Sequence, residues 1–109
     1  MQPFMFQIKS VPMPQNKNFD TIGGAYVHVW VMDNSLENAQ KRAFAHIRKY
    51  NWEPQEILNA FEIRPEQIPL LHKDEENLFL MAQLYGISAD FLGWRKEESL
   101  HDVPEIIEP

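Results

Sequence analysis

The stretch from residue 25 to 32, Ala-Tyr-Val-His-Val-Trp-Val-Met, sets the hardest condition on any fold this chain adopts. In an extended strand, successive side chains point to opposite faces. Val27, Val29 and Val31 therefore share one face, and Tyr26, His28, Trp30 and Met32 share the other. Neither face suits water. A strand apolar on both sides needs a layer above it and a layer below it.

The flanking sequence supplies candidates for both. Phe4, Phe6 and Ile8 alternate within residues 4–11, so a first strand precedes the central one. Pro12, Pro14 and the polar cluster up to Asp20 break it, and Gly23-Gly24 leads into the next strand. That connection exceeds the about two to five residues of a hairpin loop, so 12–24 reads as a functional or mobile flap with glycines as its hinge. Ser35 then caps a helix, with Glu37 in the first turn to complement the helix dipole. Leu36, Ala39, Ala43, Ile47 and Tyr50 fall on one arc of it, Phe44 lies at the edge, and the alanines permit close approach to a sheet. Asn51 ends the helix and Trp52 packs beneath its last turn.

Residues 54–63 read as a third strand with Ile57, Phe61 and Ile63 on one face; a helical reading of 54–62 competes with it. Arg64-Pro65 and Ile68-Pro69 mark a loop. Asp74 caps a second helix that runs to Tyr85 and stops at Gly86. Leu78, Phe79, Leu80, Met81, Ala82, Leu84 and Tyr85 cover most of its circumference, so it needs burial on more than one side. Ser88 opens a short third helix through Leu92, stopped by Gly93. The stretch Ala82-Gln83-Leu84-Tyr85-Gly86-Ile87-Ser88-Ala89-Asp90-Phe91-Leu92-Gly93 resembles the closing helices of phage-repressor-type helix-turn-helix domains. There a helix, a Gly-hydrophobic-Ser turn and an Asp-aromatic-Leu helix recur. The resemblance implies a helix corner and carries no DNA binding with it, because residues 54–72 offer no counterpart of the recognition helix.

The expected fold is α+β: a small sheet of about three strands packed against helices, in the order β-β-α-β-α(-α), split β-α-β or ferredoxin-like in character. If the second and third strands are parallel, they enclose a right-handed crossover. Residues 1–94 form one domain, and 95–109, with two bases and five acids, form an acidic, flexible tail. So small a sheet leaves edges, and completion across a homodimer is an attractive solution.

Chemistry is thinly represented. The chain has no cysteine, which excludes disulfides and thiolate chemistry. Its four histidines lie in four separate segments, so no metal site and no cofactor is expected. Ser35 and Ser88 serve as caps, and Gly23-Gly24 precedes a strand where a phosphate loop would follow one. The net charge of −6 opposes binding to phosphate backbones. No apolar run approaches a membrane span, and a cytoplasmic location is expected.

What remains is the aromatic face. Tyr26, His28 and Trp30 need a cover, and the second helix with Tyr85, another subunit or a ligand could each supply it. His28 could act as a base if Glu56 or Glu62 of the third strand reached it. The first helix carries Lys41, Arg42, Arg48 and Lys49 against Glu37 alone, which is either a solvated outer face or a docking surface for an acidic partner. The leading expectation is a non-catalytic protein-interaction or self-association module, acting as a homodimer or with another protein. A small-molecule-binding or enzymatic domain with its pocket at the aromatic face comes second, and nucleic-acid binding third.

Overall fold

Phe4, Phe6 and Ile8 of β1 (Gln2–Pro12) stand opposite Val31, Val29 and Val27 of β2 (Ile22–Asp33), so two alternating strands lay one apolar face down together. Helix α1 (Leu36–Lys49) covers that face with Ala39, Ala43 and Ile47. The Ser35 hydroxyl accepts the Asn38 backbone N–H at 3.1 Å and opens the helix. At its far end Asn51 takes the left-handed backbone (φ 65°), a conformation asparagine tolerates better than most residues. Trp52 then turns fully inward, with its ring 5.4 Å from that of Phe91. Its buried indole N–H has no hydrogen-bond partner among the described residues, a cost of about 1–3 kcal/mol set against burial of the whole ring.

The computed structural model describes residues 1–96 and 103–109. Beyond α1 the chain continues through β3 (Trp52–Glu62), a 3-10 helix (Pro65–Leu70), helix α2 (Lys73–Tyr85), β4 (Ile87–Arg95) and β5 (Glu105–Ile107). The sheet order is β3-β1-β2-β4-β5, and every neighbouring pair is antiparallel. With β1 between them, β2 and β3 run the same way, and α1 carries the chain from one to the other. Helix α2 lies on the opposite face of the sheet, where Phe79 and Ala82 pack on Trp30 and Ile63. The result is a mixed α+β structure of three layers with two separate apolar cores.

This corrects the expected three-stranded, ferredoxin-like arrangement: the sheet has five strands and is antiparallel throughout. The main cause is residues 87–95. The third helix expected from Ser88 to Leu92 is strand β4, paired with β2 so that Trp30 faces Ser88 and His28 faces Asp90. The helix corner drawn from the repressor resemblance is therefore a helix-to-strand corner. Gly86 does stop α2, at φ 87°, where a side chain would be strained. Helix α2 itself starts two residues earlier than the Asp74 cap implies, with His72 at the cap: the Glu75 carboxylate accepts the His72 backbone N–H at 3.0 Å.

The other end of the chain adds the fifth strand. Ile106 and Ile107 pair with Leu92 and Phe91, within the region the sequence assigns to a tail. Residues 97–102 of that region lie outside the described residues. The 12–24 segment is pinned: the buried Asn16 donates its side-chain amide to the carbonyls of Tyr50 and Asn51 at 2.9 and 3.2 Å, and Lys96 Nζ donates to the Phe19 carbonyl at 3.1 Å.

Candidate functional site

Strand pairing orders the α2 side of the sheet into rows. Phe61, Met5, Trp30 and Ser88 form one row across β3, β1, β2 and β4, and it lies at helix α2. The next row is polar: Asn59, Gln7, His28 and Asp90. The third is Glu56, Lys9, Tyr26 and Leu92. Helix α2 packs over the first row and leaves the polar row at its margin. Ser88 fixes the helix there by donating its hydroxyl to the Leu78 carbonyl at 2.5 Å.

Within the polar row the side chains bond pairwise. Asn59 Nδ2 donates to Gln7 Oε1 at 2.7 Å. His28 Nδ1 lies 3.0 Å from Asp90 Oδ1, and the two side chains are only 23% and 21% exposed. A carboxylate only accepts, so Nδ1 carries the proton, and in the neutral ring Nε2 is left as an acceptor. Nε2 makes no hydrogen bond among the described residues. The pair has the orienting half of a general-base arrangement, but among the described residues no hydroxyl donates to Nε2. Among the described residues no three His, Asp or Glu side chains converge to hold a metal ion.

A cleft of about 240 Å³ opens between α2 and this row, lined by Met5, His28, Trp30, Leu78, Leu92 and Ile106 with Asp74, Glu75 and Asp90. Residues 12–24 do not line it, and the cleft lies at the α2 end of the aromatic face. A second cleft of about 220 Å³ flanks the 3-10 helix and shares Met5, Trp30 and Glu75 with the first. Larger depressions of about 520 and 730 Å³ lie around Ile22 and Arg95, at the border of residues 97–102. The larger is lined by Asp20, Thr21, Arg95 and Lys96, a set of mixed charge.

The four aromatic-face candidates are dispersed. Trp30 is core, 1% exposed, with its ring 6.1 Å from Phe79. His28 lines the cleft. Tyr26 sits further along, stacked at a tilt on Trp94 with centroids 4.9 Å apart. Tyr85 is 72% exposed on the outer side of α2 and does not line the cleft. Glu56 faces Lys9, and Glu62 faces Phe4, so neither is the carboxylate partner of His28. Asp90 is that partner. The alternation of Ser88, Asp90, Leu92 and Trp94 could have revealed it as a strand residue on the same face.

The four basic candidates of α1 do not form one surface either. Arg42 reaches inward: Nη1 donates to the Met32 carbonyl at 2.6 Å and to Asp33 Oδ2 at 3.1 Å, and Nη2 to the Gly86 carbonyl at 3.2 Å. It thereby ties α1 to the ends of β2 and α2. The Asn34 backbone N–H, first, and the Arg42 guanidinium, second, hold the Asp33 carboxyl below its ordinary value. Lys41 pairs with Glu37 at 3.6 Å, and Arg48 pairs with Glu53 at 3.2 Å while its guanidinium lies 5.7 Å from the Phe44 ring centre. Lys49 is exposed beside His46, whose imidazole is pushed below its usual value by burial and then by the Lys49 charge.

The apolar circumference that the sequence gives α2 is buried on the sheet side and exposed on the outer face. Leu80 and Leu84, and Met81 and Tyr85, stand one turn apart along it, with Leu84 75% and Tyr85 72% exposed. Among the described residues no helix is long and apolar enough to cross a membrane. In comparisons with known proteins the chain matches no family model, no curated protein and no solved structure.

Proposed function

We propose that the protein is a non-catalytic self-association module in which two copies pack the outer faces of their α2 helices together. The observation that carries this reading is a helix apolar on both sides: Phe79 and Ala82 face the sheet, while Leu80, Met81, Leu84 and Tyr85 face outward. In a protein of net charge −6, residues 77–89 hold no charged side chain at all. An uncharged apolar surface is its own complement under two-fold symmetry, whereas a charged partner would find nothing there to pair with. Antiparallel helices would also set the positive end of each dipole beside the negative end of the other.

A specific interface buries at least about 1,000 Å² in total, so each copy must contribute on the order of 500 Å². The β3 edge is a poorer route to a dimer. Leu58 and Gln55 have no partner opposite them in β1, and these bulges, with Pro54 and Glu56, interrupt a flat row of pairing groups. A cytoplasmic location belongs to the same proposal.

Light scattering coupled to size exclusion, at micromolar concentrations, tests it. The wild-type chain should run as a dimer, and more completely so at higher salt, since screening weakens the repulsion between two acidic copies. Leu84→Glu should run as a monomer with an unchanged circular dichroism spectrum. A monomeric wild-type chain, or a Leu84→Glu dimer as tight as wild type, overturns the reading.

A further inference from the structure

We infer that the cleft between α2 and the polar row binds a small protonated amine with an apolar body, of the aryl- or cycloalkyl-alkylamine class. This site is separate from the outer face of α2 and does not depend on self-association.

The lining states the chemistry of the ligand. Its floor and walls are apolar: Met5, Trp30, Leu78, Leu92 and Ile106. Its polar groups are Asp74, Glu75, Asp90 and His28, and among the described residues neither a lysine nor an arginine lines it. Each of these groups retains acceptor capacity. Asp90 uses Oδ1 on His28 and keeps Oδ2, Glu75 uses Oε1 on the His72 backbone and keeps Oε2, and the His28 ring keeps Nε2. A set of carboxylates around an apolar pocket repels an anion, and it offers a neutral apolar molecule no use for its acceptors. A primary ammonium supplies three N–H donors and a positive charge, and charge-assisted hydrogen bonds are the strong ones.

Geometry makes the match specific to a small organic cation. Among the described residues no three of these groups form a metal-ligating set, so a bare metal ion is not served, whereas an ammonium needs only one or two of the acceptors and gives its remaining donors to water. At about 240 Å³ the cleft is somewhat smaller than the ~300–1,000 Å³ of sites for drug-sized ligands, which suits a single ring or short branched chain. Two features shape the cleft. The Ser88–Leu78 hydrogen bond sets α2 on the sheet, and β5 brings Ile106 up as one wall.

Phenethylammonium, phenethyl alcohol and phenylacetate share one body and differ in the polar head, so they form the decisive set. Each is titrated into isotopically labelled full-length protein while the His28 ring, the Trp30 indole and the Leu78 and Ile106 methyl resonances are followed. The ammonium compound should shift these signals saturably, should bind less well as salt rises, and should outcompete the other two. Asp74→Asn with Asp90→Asn should weaken it about tenfold or more, the scale of a lost charge-assisted hydrogen bond. Leu84→Glu should leave it unchanged, whatever it does to the oligomeric state. Equal binding of the alcohol or the carboxylate, or shifts that avoid these four residues, overturns the inference. If the double variant does not fold, the three-ligand comparison on the wild-type chain decides alone.

Discussion

Trp94 lies across Gly24 on the neighbouring strand so closely that a Cβ at Gly24 would overlap the indole ring. The same ring stacks on Tyr26, so glycine makes room for an aromatic pair at the end of the sheet farthest from α2. Gly24→Ala should cost about 1–3 kcal/mol, the usual range for overpacking. Removing the indole should remove most of that cost, so Gly24→Ala measured in a Trp94→Ala background should be nearly neutral. Urea denaturation of the four proteins in the cycle measures the coupling. Strict additivity would show that the cost arises elsewhere.

Two apolar residues on the α2 side of the molecule should respond in opposite ways. Trp30 is enclosed by Phe79, Met5 and Ile63, and Trp30→Ala should lose about 3–5 kcal/mol, much of a small domain's stability. Leu84 is 75% exposed, and Leu84→Glu should change the stability of the isolated fold by no more than about 0.5 kcal/mol. Chemical denaturation at protein concentrations low enough to keep both variants monomeric compares them directly. A well-folded Trp30→Ala protein would mean that the second core contributes little.

What the sequence reveals and what it hides divide along the range of the interactions involved. The alternation in residues 4–11 and 25–32, the Ser35 cap and the Ala39-Ala43-Ile47 arc are local patterns, and each stands in the structure as the strand, cap or helix it suggests. Residues 87–95 carry the same period-two pattern in a weak form. Ile87, Ala89 and Phe91 alternate with Ser88, Asp90 and Leu92, but a small residue dilutes one face and polar residues the other, and Gly86-Ile87-Ser88 reads locally as a helix corner. Only pairing with β2, some sixty residues away in sequence, makes it a strand, and that pairing also brings Asp90 to His28. Arg42 was hidden for a related reason. Its position on a basic helix suggests solvent, while its three acceptors come from the ends of β2 and α2, which only the tertiary fold brings within reach.

Arg42 should therefore behave as a structural clamp. Arg42→Ala leaves the Met32 and Gly86 carbonyls without this donor, and the two contacts together should be worth about 1–2 kcal/mol. Lysine should restore little, because one ammonium cannot reproduce a planar fork aimed at separate acceptors. The Asp33 carboxyl reports on the same contact. Its folded value lies below 3.8, so its contribution to stability is complete above that pH and is lost as the pH falls through the folded value. In Arg42→Ala the Asp33 titration, followed by carboxyl NMR, should move upward only part of the way, since the Asn34 backbone N–H remains. An unmoved Asp33 would remove the guanidinium from the account.

His46 should set the acid side of the stability profile near neutrality. Its imidazole is held below 6.5 in the folded chain, chiefly by burial beside Tyr50 and secondarily by Lys49. Between 6.5 and the lower folded value, the unfolded chain takes up a proton that the folded chain refuses. Stability is therefore full above 6.5, falls as the pH drops through that window, and levels off once both states are protonated. His46→Phe keeps the ring packing without the titrating group and should flatten this part of the curve. Lys49→Gln should narrow the window from below, because it removes the weaker of the two causes and lets the folded value rise. Denaturation free energies from about pH 8 to about pH 5, with NMR titration of the His46 ring, give both readings. A His46→Phe protein that keeps the wild-type slope would assign it to another of the four histidines.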